Sequence, residues 1–221
     1  MLILLAGGLV ALGPEIYRLA GNPASETSAS PVASPSVSKT ASVAPIKVAP
    51  LKKLKPPQLF ALSPNPITGT TLKKIKRLKG VVSLESVGAA TVEFNGRRLQ
   101  ALAVNPSTFR AYTSKVTAES DVVWQRIAEG GLAISFSTDI NGAQPGDRIM
   151  SGARSMYIAA QADTGLRVVD VILSLEVGKA LGVPEKNALL VHAPTTDSVE
   201  LREAILKILP TSSQVALVSM H

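Results

Sequence analysis

Two histidines, no cysteine and sixteen carboxylates bound the chemistry open to this 221-residue chain. Without cysteine there are no disulfides, thiolate metal sites, cysteine nucleophiles or iron–sulfur clusters. His192 lies in an apolar run with Asp197 five residues on and serines nearby, the residue types of a hydrolytic triad. A strand histidine at a sheet margin is more often structural, and that is the reading adopted. Glu85 and Glu93 flank the first expected hairpin and, paired across it, would resemble a glycosidase dyad. Acids alternating on a solvated sheet face are the commoner cause of such a pattern. Ser36-Val37-Ser38-Lys39 matches S-x-x-K inside a Pro/Ser-rich stretch that holds no catalytic geometry, and His221 is the last residue. Phosphate-loop, dinucleotide, zincin, nucleophile-elbow and EF-hand patterns are absent. The expectation is a non-enzyme with no catalytic residues, no metal ligands and no cofactor.

Binding residues are easier to nominate. The net charge of +7 is uneven: residues 1–80 hold 11 Lys/Arg against Glu15 and Glu26, and residues 81–221 hold 12 against 14 acids. Lys52, Lys53, Lys55, Lys73, Lys74, Lys76, Arg77 and Lys79 are therefore candidates for contact with an anionic surface, either lipid head groups or wall polymers. Nucleic acid is set aside, since Phe60 is the only aromatic near these cations that could stack on a base. Trp124 reads first as a core anchor. If its face with Phe109 and Tyr112 stands exposed, the three form the candidate partner-binding patch.

The elements that must carry these residues follow from periodicity and punctuation. Thr68 or Thr70 caps a helix with Leu72, Ile75 and Leu78 on one face and the cations on the rest, ended by Gly80. Strands are expected over 81–87 and 89–94, and Asn95-Gly96 marks a type I′ hairpin into 97–104. A turn at Asn105-Pro106 opens a short helix, and a second helix spans 121–129. Strands follow over 132–137, 148–151, 154–162 and 168–173, then a helix over 174–181 and a strand over 187–193. Asp197 caps a helix over 198–209 with Val199, Leu201, Ile205 and Ile208 inward, and a strand over 214–220 closes the order. The fold class is α+β, a mixed or antiparallel sheet with helices packed on one face.

Ahead of this lie two segments of different character. Residues 1–13 are uncharged and apolar, and 1–21 is read as a membrane anchor or signal segment, with retention as a single membrane helix favoured over cleavage. Residues 22–66 hold nine prolines and eight serines, the composition of a disordered spacer; within it Leu59–Leu62 has the look of a docking segment. The globular domain is assigned to 67–221. Across the whole chain 46% of residues are apolar, enough for a core, and with 4% aromatics that core is aliphatic.

Four stretches carry a resemblance: LKKIKRLKGVVSLESV, FNGRRLQALAVNPSTF, IAEGGLAISFSTDINGAQPGDRI and VVDVILSLEVGKALGVPEKNALLVHAP. Together they resemble the extracytoplasmic domain of permease subunits in the FtsX/MacB group of ABC transporters. They are still more similar to a membrane-tethered module found ahead of actinobacterial cell-wall cysteine endopeptidases. With one candidate membrane segment the chain departs from the permeases, and without cysteine it departs from the endopeptidases. The resemblance implies a single-pass protein of the cell membrane with its C-terminal domain outside the cytoplasm. That domain would act through protein–protein contact, positioning or regulating a cell-wall hydrolase or an envelope complex. The alternatives are a non-catalytic part of a peptidoglycan endopeptidase and a binding module for wall glycans or anionic polymers.

Overall fold

The stretch after the first helix does not break into two strands. The computed structural model describes residues 47–218 and shows one twelve-residue strand, β2 (Ser83–Phe94), running straight through Gly88. A Cβ at Gly88 would stand 2.5 Å from the Pro184 carbonyl oxygen, so only glycine lets the chain pass. On either side of it β2 changes neighbour. Residues 83–87 pair with β8 (Ala188–His192), and residues 88–94 pair with β3 (Arg97–Val104). The hairpin between β2 and β3 turns at Asn95 and Gly96, both at positive φ as a type I′ turn requires.

Nine strands form one mixed sheet in the order β5-β6-β4-β7-β3-β2-β8-β1-β9. The remaining strands are β1 (Leu59–Leu62), β4 (Leu132–Ile134), β5 (Arg148–Ser151), β6 (Arg154–Gln161), β7 (Val171–Ser174) and β9 (Gln214–Leu217). The helices are α1 (Gly69–Lys76), α2 (Pro106–Phe109), α3 (Lys115–Glu119), α4 (Asp121–Ala128), α5 (Leu175–Ala180) and α6 (Ser198–Leu206). A 3-10 turn, Arg110–Tyr112, joins α2 to α3. Thr68 caps α1 through Thr71 N–H, and Asp197 caps α6 through the N–H groups of Val199 and Glu200, as the residue types demand.

Helices cover both faces of the sheet, where one was expected. The apolar run of β8 shows why: Leu189 and Val191 pack with α1 and α6, while Ala188 and Leu190 point to the layer of α2–α4. A strand buried on both sides reads as a continuous apolar run, and ALLV is one. The half of the sheet beyond β2 curls on itself. Met150 of β5 donates its N–H to Asn95 Oδ1, and Asn95 N–H donates to the Met150 carbonyl, both at 2.8 Å. This brings β5 back to the hairpin tip and encloses Phe94, Leu99, Ile134, Ile149, Ile158 and Val171 in a barrel-like core.

Residues 47–66, expected to belong to the extended spacer, are part of the fold. Leu59 and Ala61 are fully buried, and β1 pairs antiparallel with both β8 and β9. Ahead of it, residues 47–58 form a strap across the α2–α4 layer. Its ties are Ala49 N–H to Ser107 Oγ at 3.0 Å, Lys55 N–H to the Ala111 carbonyl at 2.7 Å and Gln58 N–H to the Val191 carbonyl at 2.9 Å. The membrane segment 1–21, the spacer up to residue 46, Ser36, Lys39 and His221 lie outside the described residues.

Candidate functional site

The aromatic patch is not a surface. Trp124 and Phe109 are fully buried and Tyr112 is 1% exposed. Phe109 and Trp124 meet edge to face at 6.0 Å, and the indole N–H donates to the Thr117 carbonyl at 2.7 Å. The helix face that the sequence left open is closed by the sheet on one side and the strap on the other, so these three residues anchor the core. Beside them Arg110, 2% exposed, donates to the Ala118 and Ala49 carbonyls and to Asp121 Oδ1 at 2.7 Å. One guanidinium thereby locks strap, α3 and α4 together.

The catalytic pairings also dissolve. His192 donates from Nδ1 to the Pro56 carbonyl at 2.7 Å, while Asp197 Oδ1 is taken up by the cap of α6. Glu85 and Glu93 sit on the same strand, eight residues and about 26 Å apart, well beyond any dyad spacing. Val199, expected inward, is 56% exposed; Leu201, Ile205 and Leu209, four residues apart, define the buried stripe instead.

A cluster of polar side chains lies where Lys55 of the strap approaches Glu85 of β2. Thr108 donates to Glu85 Oε1, and Lys55 sits 5.6 Å over the Tyr112 ring. Burial raises the Glu85 carboxyl above the usual range, against the opposing pull of the Thr108 hydroxyl and the Lys55 charge. Burial likewise pushes the Tyr112 phenol up to about 12; the neighbouring Ser83 hydroxyl opposes that rise and the Glu85 charge adds to it. Neither the Tyr112 nor the Ser83 hydroxyl completes a hydrogen bond of normal geometry. Serine, tyrosine, lysine and glutamate in an open cleft could move protons, but here the strap shuts the phenol away from substrate.

The open feature lies on the β9 side of the same sheet face. Phe60 and Leu62 of β1, Ala89 of β2 and Leu102 of β3 line a groove walled by Val168 and Val169 on one side and Ala216 on the other. A second hollow, lined by Leu217 and Val218, continues it through the shared residues Phe60, Val168 and Ala216. The two hollows measure about 210 and 220 Å³. Each is below the usual range for a small-molecule pocket, which starts near ~300 Å³, and suits the side chains of an extended peptide instead. Val168 and Leu217, 60% and 51% exposed, form its rim.

Beside this groove runs an edge of the sheet. Val218 N–H donates to the Gln58 carbonyl, so Ala216 and Val218 turn their backbone groups toward β1, and Val215 and Leu217 turn theirs outward. Arg202 Nε covers the outward Val215 carbonyl at 2.8 Å. Leu217 is left facing out from the last strand in the sheet order. The LFAL and QVAL alternations carry the groove residues, and nothing local to either segment shows that they meet.

The cations divide into two groups. Lys52 and Lys53 are exposed on the strap, near Glu119 and Asp121, and Lys55 is half-buried. Lys73, Lys74, Lys76, Arg77 and Lys79 are exposed on and just beyond α1, on the opposite face of the sheet. No metal-binding cluster is found among the described residues. No helix among them is long and apolar enough to cross a membrane.

No family model and no curated protein matches the chain. Among solved structures it is similar to the extracellular domain of the ABC-type transporter YknZ from Gram-positive bacteria, at 10% identity and a TM-score of 0.40, covering 72% of this chain and 98% of that one. It is also similar to the periplasmic region of MacB from Actinobacillus actinomycetemcomitans, at 10% identity and a TM-score of 0.42, covering 75% and 90%. These likenesses are faint, and the groove and edge are read on their own geometry.

Proposed function

We propose that the chain is a non-catalytic, membrane-tethered interaction module whose domain stands outside the cytoplasm. In this reading the domain binds an extended apolar segment of an envelope partner in the Phe60–Ala216 groove, alongside β9. The observation that carries it is the coincidence of an apolar groove with the open edge of the sheet. A partner strand there gains backbone hydrogen bonds from the edge and side-chain pockets from the groove. The N-terminal segment supports placement in a membrane: residues 1–13 are apolar and uncharged, and its only charged side chains, Glu15 and Arg18, fall toward its end, at head-group depth in this reading. The partner we envisage is a cell-wall hydrolase or an envelope complex that the domain positions or regulates. The native chain has no cysteine, so a single Thr195→Cys substitution at an exposed loop gives a unique label. A membrane-impermeant maleimide should react with it equally in intact and lysed cells. Reaction only after lysis would place the domain in the cytoplasm and end this reading.

A further inference from the structure

We infer that the α1 surface is a docking site for anionic phospholipid head groups, which orients the domain on the membrane that tethers it. The inference rests on the tethered reading above. Residues 27–84 contain no acid. Lys73, Lys74, Lys76, Arg77 and Lys79 are all exposed, and none joins an ion pair among the described residues. Lys73, Lys76 and Arg77, at i, i+3 and i+4, share one face of the helix. They surround a shallow groove floored by Leu72 and Leu84. Lys76 Nζ donates to the Val82 carbonyl, and the Val82 side chain beside it is 55% exposed. The next carboxylate in sequence, Glu85, lies on the other face of β2, where it accepts from Thr108. Uncompensated cations ringing apolar side chains suit the boundary between head groups and acyl chains; a hydrophilic polymer would engage the cations alone.

The folding of residues 47–66 strengthens the case. It leaves the 25 residues of 22–46, rather than the 45 of 22–66, between the apolar segment and the domain. A shorter tether raises the effective concentration of the α1 surface at the membrane, where the attraction is short-range and screened. Each basic residue near an anionic surface contributes about 1 kcal/mol, or roughly fivefold.

The test uses the full chain in lipid nanodiscs, with Val82→Cys carrying an environment-sensitive fluorophore and a nitroxide quencher at head-group depth. Discs of phosphatidylcholine with phosphatidylglycerol should quench the label, and discs of phosphatidylcholine alone should not. A label at Phe136→Cys should stay unquenched in both. Lys73→Gln, Lys76→Gln and Arg77→Gln together should lower the docked-to-undocked ratio about 100-fold. Because a multiple variant can misfold, 1 M salt on the unmodified lysines is the second arm and should release the domain. Docking is refuted by an unquenched Val82 label in anionic discs, by equal quenching in neutral discs, or by a response to soluble polyphosphate without one to lipid. A chain that co-elutes with discs while the label stays unquenched loses the docking and keeps the tether. One that co-elutes with neither disc loses both.

Discussion

The two ends of the nine-stranded sheet are finished differently. At one end β5 curls back to the hairpin tip, and Met150 exchanges two hydrogen bonds with Asn95, so that edge is tied down at Met150 and the core behind it is enclosed. At the other end β9 has one outward carbonyl covered by Arg202, Leu217 facing out, and an apolar groove alongside. Sheets commonly blunt both edges against unwanted pairing. Here the effort is spent on one edge, which separates a half built for stability from a half built for contact.

The largest effect should come from the closed half. Phe94→Ala removes a fully buried ring from the barrel-like core and should cost about 3–5 kcal/mol in urea unfolding. Asn95→Ala removes the Oδ1 acceptor for Met150 and places alanine at φ 47. It should cost about 2 kcal/mol and speed amide exchange across β5 more than across β9. At the open edge, Arg202→Ala uncovers the Val215 carbonyl for only about 1 kcal/mol. Its sharper sign should be concentration-dependent self-association in sedimentation, which Asn95→Ala produces only if the β5 edge also opens.

Glu85 tests the seam where the strap meets β2. Its folded-state carboxyl lies above the ordinary value of 4.5 because burial penalises the charge. The protonated form therefore favours folding: that contribution is present below pH 4.5 and lost as pH rises through the folded value. Glu85→Gln should raise the melting temperature at pH 7, with the gain vanishing below about pH 4. A gain that persisted at pH 4 would mean that the side chain's charge is not the cause.

Local signals in the sequence were legible wherever one residue type has one use. Thr68 and Asp197 accept the N–H groups of the helices they begin, and Asn95-Gly96 turns the hairpin. What stayed hidden depended on distant partners. β1 was diluted by the prolines on either side of it, although those prolines flank the strand and interrupt none of its pairing. The break expected at Gly88 is a change of neighbour within one strand, visible only once Pro184 is seen beside it. Trp124 reads as a core anchor from its helix pattern, but that pattern shows only that a face is apolar; the strap and the sheet are what cover it. The groove was least legible, because Phe60, Val168 and Ala216 come from three separate parts of the chain.

The most direct test places a photocrosslinking residue at Leu217 on the open edge and, separately, at Met150 on the closed one, in the otherwise unmodified chain in its own cells. The two positions are similarly exposed, at 51% and 44%, so chance collisions should be similar. A discrete adduct from Leu217 that Ala216→Glu abolishes, with none from Met150, is the predicted result. Equal adducts from both positions, or none from Leu217, would contradict the assignment of the β9 edge and its groove as the binding surface.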